Sequence, residues 1–430
     1  MLIIGAGPGG YETAVEAVKR GMEVTLVADG PLGGTCLNEG CIPTKTFCHY
    51  AELIERNRKA GLDVKLAFTD VAARKNAVLE QLRGGIESLL RGVNVVRGKA
   101  SFRDAHTVVV DGLEYSADKI IIATGSKSAL LPIPGAETAM TSREVLNLTE
   151  VPESICVIGG GVIGLEFASI FSSFGSQVTV LEYCKEILPR FDVDLAKRLR
   201  QALTRRGIRI ETQAQVTAID GGTVKYIRKE AECEVQAEKV LMAVGRVANT
   251  DGLNLEAAGI ECGRRGITVD GNFRTSVPDV YAVGDVTGGM MLAHVATYQG
   301  IRALNDIEGR EDSIRFDLVP AAVFTMPEVA TIGLTEEECR GKGIEIRCLK
   351  SFYRANGKAV SMDETDGCCK VIAAAADGRI LGCHLMGAHS SDLIHEMAAL
   401  MNAGATIADA QTIIHAHPTL AEVLQAALRQ

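Results

Sequence analysis

The chain has 430 residues, of which 47% are hydrophobic and 23% charged, and its formal net charge at pH 7 is −9. Its length predicts two to four domains. The acidic balance argues against nucleic acid or an anionic membrane as a partner, because both attract basic surfaces. Met1 is followed directly by an apolar run, so we expect no targeting segment and a cytoplasmic protein. The 12 cysteines lack regular metal-ligand spacing, which predicts reduced thiols, no metal site and a catalytic role for any disulfide.

The N-terminal stretch predicts a dinucleotide-binding unit. Residues 2–4 predict a strand, residues 11–20 a helix that ends at Gly21, and residues 24–27 a second strand. Between the first strand and the helix stand Gly5, Gly7 and Gly10 in the pattern G-x-G-x-x-G. Glycines allow the backbone to approach a pyrophosphate, and the helix N-terminus offers N–H groups and a positive dipole end.

The same unit recurs 154 residues later. Residues 155–158 predict its first strand, residues 178–181 its second, and the pattern is formed by Gly159, Gly161 and Gly164. Eleven residues separate the third glycine from the helix-ending glycine in both copies. Two such units in register indicate two dinucleotide sites.

The two units differ in the residue that ends the second strand. Glu182 is placed to bind the ribose hydroxyls of NAD and to repel the 2′-phosphate of NADP. The first unit has Ala28 there, with Asp29 one residue later. Successive strand residues face opposite sides, so Asp29 can substitute only if the strand has already ended.

Two cysteines, Cys36 and Cys41, lie in a stretch rich in glycine that ends at Lys45. In a straight helix their Cα atoms would be further apart than the roughly 4.4–6.8 Å of a disulfide. A bond between them needs a distorted turn, which Gly40 and Pro43 permit. Alone, this spacing favours two buried thiols beside a tight loop.

The middle of the chain predicts further strands with polar ends. Residues 48–100 predict long solvated helices, and residues 107–110 and 119–123 predict strands. The second of these strands closes on Thr124-Gly125-Ser126. Two later apolar strands end in glycine and one polar residue, as expected for ligand contacts at the carboxyl edge of a parallel sheet. These pairs are Gly245 with Arg246 and Gly284 with Asp285, the last of which fits a simple turn equally well.

From about Val319 the pattern changes to one typical of an antiparallel sheet, with strands at 327–332, 370–375 and 379–384. Helices are predicted at 392–401 and 407–414. Adjacent Cys368 and Cys369 should face opposite sides of a strand and serve packing. Near the end, Pro418 suits a first helical turn and Glu422 lies one turn onward. That carboxylate could orient His417 as a general base, although a helix-capping histidine is the simpler interpretation.

Together these motifs resemble, over the whole chain, the FAD-dependent pyridine nucleotide–disulfide oxidoreductases. The resemblance implies an α/β fold with two Rossmann-like FAD/NAD(P)-binding domains and a C-terminal α+β dimerisation domain. It places an FAD domain at 1–147, an NAD domain at 148–277, a segment completing the FAD domain at 278–317 and an interface domain at 318–430. The resemblance is carried by these motifs: Gly5-x-Gly7-x-x-Gly10, Gly33-Gly34-Thr35-Cys36…Cys41-Ile42-Pro43-Thr44-Lys45, Ala123-Thr124-Gly125, Gly159-x-Gly161-x-x-Gly164-x-Glu166, Ala282-x-Gly284-Asp285 and His417-Pro418-Thr419-x-x-Glu422.

The resemblance also implies roles. Cys36 would exchange with substrate and Cys41 would lie near the flavin, while His417 and Glu422 would act in the partner subunit of a homodimer. Lys45 and Glu166 would form an ion pair beside the flavin and nicotinamide, and Asp285 would bind the ribityl chain. The residues expected to bind FAD or NAD are Gly5, Gly7, Gly10, Asp29, Gly34, Thr35, Lys45, Thr124, Gly125, Gly159, Gly161, Gly164, Glu166, Glu182, Gly245, Arg246, Gly284 and Asp285.

Within the family, the chain most resembles the members that oxidise protein-bound dihydrolipoamide with NAD+. Their implied partners are lipoyl domains of 2-oxo acid dehydrogenase or glycine cleavage complexes. Glu182 favours NAD over the NADPH of glutathione reductases, and the chain lacks the C-terminal cysteine pair of mercuric reductases. The alternatives are another FAD disulfide reductase of those types, or a non-catalytic subunit of a 2-oxo acid dehydrogenase complex. Disulfide exchange needs a base that forms a thiolate, and His417 is the best candidate.

Overall fold

A computed structural model describes residues 1–430. The elements up to residue 150 are β1 (Leu2–Ile4), α1 (Pro8–Lys19), β2 (Thr25–Ala28), α2 (Gly34–Glu39), α3 (Cys41–Lys59), α4 (Phe68–Leu89), β3 (Asn94–Arg97), β4 (Ala100–Phe102), β5 (Thr107–Val110), β6 (Leu113–Ser116), β7 (Ile120–Ile122), β8 (Ser126–Ser128) and α5 (Ser142–Val145). From there to residue 250 they are β9 (Ser154–Ile158), α6 (Val162–Ser173), β10 (Gln177–Glu182), α7 (Val193–Arg205), β11 (Arg209–Thr212), β12 (Ala214–Asp220), β13 (Thr223–Arg228), β14 (Ala231–Gln236), β15 (Lys239–Met242) and β16 (Arg246–Ala248).

The last part of the chain begins with a strand and a helix, β17 (Val280–Ala282) and α8 (Ala293–Ile307). The C-terminal elements follow as β18 (Ala321–Val323), β19 (Val329–Gly333), α9 (Glu336–Gly341), β20 (Ile346–Phe352), α10 (Gly357–Ser361), β21 (Cys368–Ala374), β22 (Ile380–Met386), α11 (Ser390–Asn402), α12 (Ile407–Gln411) and α13 (Glu422–Leu428). None of these helices combines the length and the apolar character that a membrane crossing requires.

Two parallel sheets carry the two glycine patterns, as predicted. The first has the strand order β17-β7-β1-β2-β3 and the second β11-β10-β9-β15, and their neighbouring strands pair in parallel. Each glycine pattern follows an inner strand, β1 or β9, at the carboxyl edge of its sheet. Strand β17 joins the first sheet although it follows the second in sequence. The polar residues after β7, β15 and β17 therefore reach the same two edges, where α/β sheets bind their ligands.

The glycines of the two patterns have matching conformations and surroundings. Gly5 and Gly159 have φ of 108° and 110°, a left-handed region that favours glycine. A Cβ on Gly10 would lie 1.7 Å from the Gly5 carbonyl oxygen, and one on Gly164 would lie 2.0 Å from that of Gly159. A Cβ on Gly161, by contrast, would meet no atom within 4 Å. The third glycine thus packs the helix onto the strand, and the middle one leaves room for a pyrophosphate.

The resemblance implies that the second unit binds NAD and the first FAD. Replacing Gly164 with alanine should then weaken NADH binding about tenfold and destabilise the fold by about 2 kcal/mol, because the added methyl group meets backbone rather than a movable side chain. FAD content should stay normal, since the first unit is unchanged. Gly84→Ala in α4 is a matched control, because its Cβ would meet nothing within 4 Å and alanine favours a helix. Fluorescence titration with NADH and urea unfolding measure both effects, and wild-type values for Gly164→Ala would contradict this assignment.

The prediction of solvated helices across residues 48–100 is wrong in two respects. Helix α4 ends at Leu89, and the run that follows forms β3, which pairs in parallel with β2. Its β-branched residues suit the edge of the sheet better than a helix. The helices are also not merely solvated, since the Phe68 ring stacks on Phe47 and lies 6.2 Å from that of Phe171 in α6. This aromatic contact joins the first unit to the second.

The C-terminal part contains the predicted antiparallel sheet, in the order β18-β19-β22-β21-β20. Cys368 packs in the core shared with α6, whereas Cys369 packs in the core under α11 and α13, so the two face opposite sides as expected. Pro418 does not start a helix, because α13 begins only at Glu422. The Glu422 carboxylate binds the backbone N–H of Thr419 and thereby closes a turn before the helix.

Candidate active site

A cavity of about 2810 Å³ runs along the carboxyl edges of both parallel sheets. The cavity is large enough for two dinucleotides to lie along it. Most of the predicted site residues line it, namely Gly5, Gly7, Asp29, Gly34, Thr35, Cys36, Cys41, Lys45, Thr124, Gly125, Gly159, Gly161, Glu166, Glu182, Gly245, Arg246, Gly284 and Asp285. Gly10 and Gly164 lie outside its lining and pack the two helices against their strands. The structure thus brings together residues that are up to 280 positions apart in sequence.

A break in the backbone brings the two cysteines together. Helix α2 ends at Glu39, Gly40 adopts φ −150° and ψ −107°, and α3 begins at Cys41. The distorted turn that the sequence predicts is therefore present. A side chain at position 40 would press on the Thr35 carbonyl oxygen, 3.1 Å from an added Cβ. Both cysteines are free thiols here.

The two neighbouring thiols are chemically unequal. Donation from the Cys36 thiol, helped by the Lys45 charge, lowers the pKa of Cys41 to about 7. The same hydrogen bond and burial raise the pKa of Cys36. Cys41 also stands at the N-terminus of α3, where the helix dipole favours an anion. These effects favour Cys41 over Cys36 as the thiolate of the reduced pair.

An ion pair lies one helical turn beyond Cys41. Lys45 Nζ is 2.9 and 2.8 Å from the two oxygens of Glu166, whose side chain is only 3% exposed. The backbone N–H of Phe324 donates to the same carboxylate at 3.0 Å, and its ring centre lies 4.6 Å from Lys45 Nζ. The predicted pairing is thus present. Phe324 comes from the C-terminal part, and no sequence pattern marked it.

Replacing Lys45 with methionine should destabilise the fold by about 3–5 kcal/mol, because Glu166 would stay buried without its counter-charge. It should also raise the pKa of Cys41, so that the thiolate appears at higher pH than in the wild type. Urea unfolding and the ultraviolet absorbance of the reduced enzyme against pH measure these effects. Lys59→Met is the control. Lys59 lies on the same helix as Lys45, and its loss removes only an exposed ion pair with Glu364, so the free energy of unfolding should fall by at most about 1 kcal/mol. An unshifted Cys41 titration in Lys45→Met would contradict the role of this charge.

A hydrogen-bonded chain joins two predicted residues in the cavity. The Ser126 hydroxyl donates to Asp285 Oδ2 at 2.5 Å and accepts from Arg246 Nε at 2.7 Å. Gly284 has φ 77° and donates its N–H to Gln299 at 2.6 Å, so this segment is more than a simple turn. Ser126 links the first unit to β16, and only the fold reveals it.

Glu182, the last residue of β10, and Asp29, the first residue after β2, differ in their surroundings. Glu182 is buried and accepts the N–H groups of Gly160 at 2.5 Å and Cys184 at 2.6 Å. A carboxylate has about four acceptor positions, so capacity remains for ribose hydroxyls. Strand β2 ends at Ala28, so Asp29 lies beyond it and meets the condition set by the sequence. Its contact with FAD remains a prediction.

The histidine and glutamate near the C-terminus form a pair outside the cavity of their own chain. His417 Nδ1 lies 2.9 Å from Glu422 Oε1, and Glu422 Oε2 accepts the N–H of Thr419 at 2.8 Å. The Thr419 N–H and the imidazole lower the pKa of Glu422. The His417 side chain is 78% exposed. This exposure is consistent with the prediction that it serves a second subunit.

Comparisons with known proteins agree with this geometry. Residues 1–300 match the family described as pyridine nucleotide-disulphide oxidoreductase, and residues 319–428 match its dimerisation domain. Among curated proteins, the chain is 40% identical to dihydrolipoyl dehydrogenase of Geobacillus stearothermophilus, covering 98% of this chain and 94% of that protein. It is 36% identical to a dihydrolipoyl dehydrogenase of Bacillus subtilis, covering 100% and 97%.

Solved structures are similar over the whole length. The HOCl-induced flavoprotein disulfide reductase RclA of Escherichia coli has a TM-score of 0.90 at 33% identity, covering 100% of this chain and 99% of that one. LpdA of Mycobacterium tuberculosis has a TM-score of 0.91 at 30% identity, covering 100% and 98%. The dimerisation domain supports a homodimer. The chain belongs to the pyridine nucleotide–disulphide oxidoreductases, flavoproteins that use FAD and NAD.

Proposed function

We propose that this chain oxidises dihydrolipoamide to lipoamide with NAD+. The observation that carries the proposal is the thiol pair Cys36 and Cys41, whose thiolate forms at Cys41 beside Lys45 and Glu166 in a cavity shared by two dinucleotide units. The curated dihydrolipoyl dehydrogenases, 36–40% identical over nearly the whole chain, support the same reaction.

The reaction follows from thiol–disulfide exchange. In the oxidised enzyme, one thiolate of dihydrolipoamide attacks the Cys36 sulfur and forms a mixed disulfide, and the Cys36–Cys41 bond breaks with its electron pair on Cys41. The second substrate thiolate then attacks the substrate sulfur of the mixed disulfide, which releases lipoamide and leaves Cys36 reduced. His417 of the second subunit takes up the proton of the first substrate thiol, and the proton of the second ends on the departing Cys36 sulfur. Glu422 holds the imidazole ring in place.

FAD would supply the two-electron acceptor for the reduced pair, and NAD+ would take the hydride. The residues of the chain bind and orient these groups. The two glycine patterns would hold the pyrophosphates, Asp285 the ribityl chain, and Glu182 the ribose of NAD. Lys45 favours the anionic form of Cys41 and, paired with Glu166, keeps its position. His417 enters from outside, which requires the homodimer.

The substrate dithiol would be carried by lipoyl domains of 2-oxo acid dehydrogenase or glycine cleavage complexes. We infer that the enzyme works in the cytoplasm, where the cysteines other than Cys36 and Cys41 stay reduced. We also infer an FAD domain at 1–147, an NAD domain at 148–277, a completing segment at 278–317 and an interface domain at 318–430.

Steady-state turnover of dihydrolipoamide with NAD+ tests the proposal. The expected result is NADH formation that depends on both substrates, with little reduction of glutathione disulfide or Hg2+ by NADPH. Efficient turnover of one of those substrates would favour another disulfide reductase. A yellow, FAD-replete dimer without any turnover would instead favour a structural subunit.

The enzyme should prefer NADH to NADPH by about a hundredfold in kcat/KM, because the buried Glu182 carboxylate repels a 2′-phosphate. Glu182→Gln should reduce the preference for NADH over NADPH. The amide keeps an acceptor oxygen for the ribose but no longer carries the charge that repels the 2′-phosphate. Reduction of lipoamide by each nucleotide gives both ratios. A preference of the wild type for NADPH would contradict the assignment.

A further inference from the structure

The segment that carries His417 is a loop, residues 412–421, between α12 and α13, here called the histidine loop. Its outer face is strongly exposed, since Ile414 is 95% and the His417 side chain 78% exposed. A large apolar side chain with so little cover, next to the predicted base, suits contact with a second copy of this chain. Its inner side holds His415, whose side chain is only 4% exposed.

His415 joins the histidine loop to a helix behind it. Its Nε2 lies 2.8 Å from Oε1 of Glu396, and its Nδ1 lies 3.3 Å from the carbonyl oxygen of Ile413. Glu396 belongs to α11, whose buried Ile394 and Met397 fix that helix against the C-terminal sheet. The loop is therefore attached to a rigid element at a point two residues before His417.

The other strong attachment lies on the far side of His417. The Nδ2 of Asn356 donates to the carbonyl oxygen of Thr419 at 3.0 Å. His417 thus stands between two fixed points, although it makes few contacts of its own. A general base acts only within hydrogen-bond reach of its proton, and a displacement of about 1 Å can cost on the order of a hundredfold in rate.

We propose that His415 and Glu396 are positioning residues that set the place of His417 in the second subunit's active site. This inference rests on the proposed function for its effect on rate, but the attachment itself does not depend on the substrate. The loss of the His415–Glu396 hydrogen bond lets the histidine loop move while both cofactor sites and the thiol pair stay intact.

The test compares His415→Ala and His415→Gln with His389→Asn, each as the FAD-loaded full chain. Glutamine can place an N–H about where the imidazole Nε2 lies and so restore the bond to Glu396. His389 is a matched control, an exposed histidine at the N-cap of α11 whose Nδ1 lies 3.7 Å from Asp392 Oδ2. Stopped-flow reduction by dihydrolipoamide, NADH oxidation by ferricyanide, sedimentation of the dimer and amide hydrogen exchange across residues 412–421 are measured for each.

We expect His415→Ala to slow reduction by dihydrolipoamide about tenfold to a hundredfold and to raise exchange in the histidine loop, with ferricyanide turnover and dimer unchanged. His415→Gln should recover most of the rate, and His389→Asn should match the wild type. Wild-type rate and exchange in His415→Ala would overturn the proposal, as would a glutamine variant as slow as the alanine one.

A second variant covers the case in which His415→Ala does not fold. Glu396→Ala removes the same hydrogen bond from a partly exposed position and should give the same two changes. If the wild type itself is not reduced by dihydrolipoamide, the proposed function fails. Hydrogen exchange then still tests whether the His415–Glu396 hydrogen bond holds the histidine loop against α11. Raised exchange in either alanine variant supports this attachment, and unchanged exchange overturns it.

Discussion

Replacing Cys41 with serine is expected to abolish oxidation of dihydrolipoamide, with a loss in kcat of at least about a thousandfold. Serine has nearly the same shape, so the break at Gly40 and the packing of α3 should persist. It cannot form a disulfide with Cys36, and a hydroxyl does not ionise near neutral pH as the Cys41 thiol does, with its pKa of about 7. The chemistry should therefore stop while the fold remains.

Two measurements separate lost chemistry from lost structure in this variant. NADH oxidation by ferricyanide does not need the thiol pair and should stay near the wild-type rate. Cys348→Ser, at an exposed position on β20, is the matched control and should keep full dihydrolipoamide turnover. Residual turnover of more than a few per cent in Cys41→Ser would show that the reaction does not pass through this pair.

Replacing His417 with alanine should slow reduction of the enzyme by dihydrolipoamide about 10²–10⁴-fold, the usual contribution of a general base. FAD content and ferricyanide turnover should be normal, because His417 lies outside the cavity of its own chain. Without the base, reduction relies on substrate molecules that are already thiolates. The deficit should therefore shrink as the pH rises toward the pKa of the substrate thiols.

Stopped-flow reduction across a pH series measures this change, and His389→Asn serves as the control, as for the histidine loop. A rate equal to the wild type at neutral pH would remove His417 from the mechanism. A deficit that is constant with pH would point to a positional rather than a proton-transfer role.

Much of the fold could be predicted because its signals are local. A glycine pattern between a strand and a helix constrains backbone geometry directly, and the structure repeats it at Gly5 and Gly159 with φ values 2° apart. The break between Cys36 and Cys41 was predictable for the same reason, since Gly40 has to leave the helix. The predicted boundaries are wrong where pairing with a distant strand determines the local structure. Residues 94–97 form the strand β3 because they pair with β2.

The parts of the site that were missed are long-range contacts. Phe324 donates a hydrogen bond to Glu166, 158 residues away in sequence, and Arg246 donates one to Ser126, 120 residues away. Neither Phe324 nor Ser126 belongs to a motif that the sequence analysis recognised. His415 stood beside the recognised histidine, yet its partner Glu396 lies in another helix. Only the packed structure could assign these contacts. Pro418 was misplaced because the Glu422 carboxylate, rather than local helix preference, fixes the turn before α13.

An anaerobic titration of the oxidised enzyme with dihydrolipoamide tests the central claim most directly, that the reduced pair holds its thiolate at Cys41 beside the flavin. The account predicts a long-wavelength absorption band as the substrate is added, strong above the Cys41 pKa of about 7 and weaker below it. Cys41→Ser should not develop it. Reduction of the flavin without such a band in the wild type, at any pH, would contradict the account.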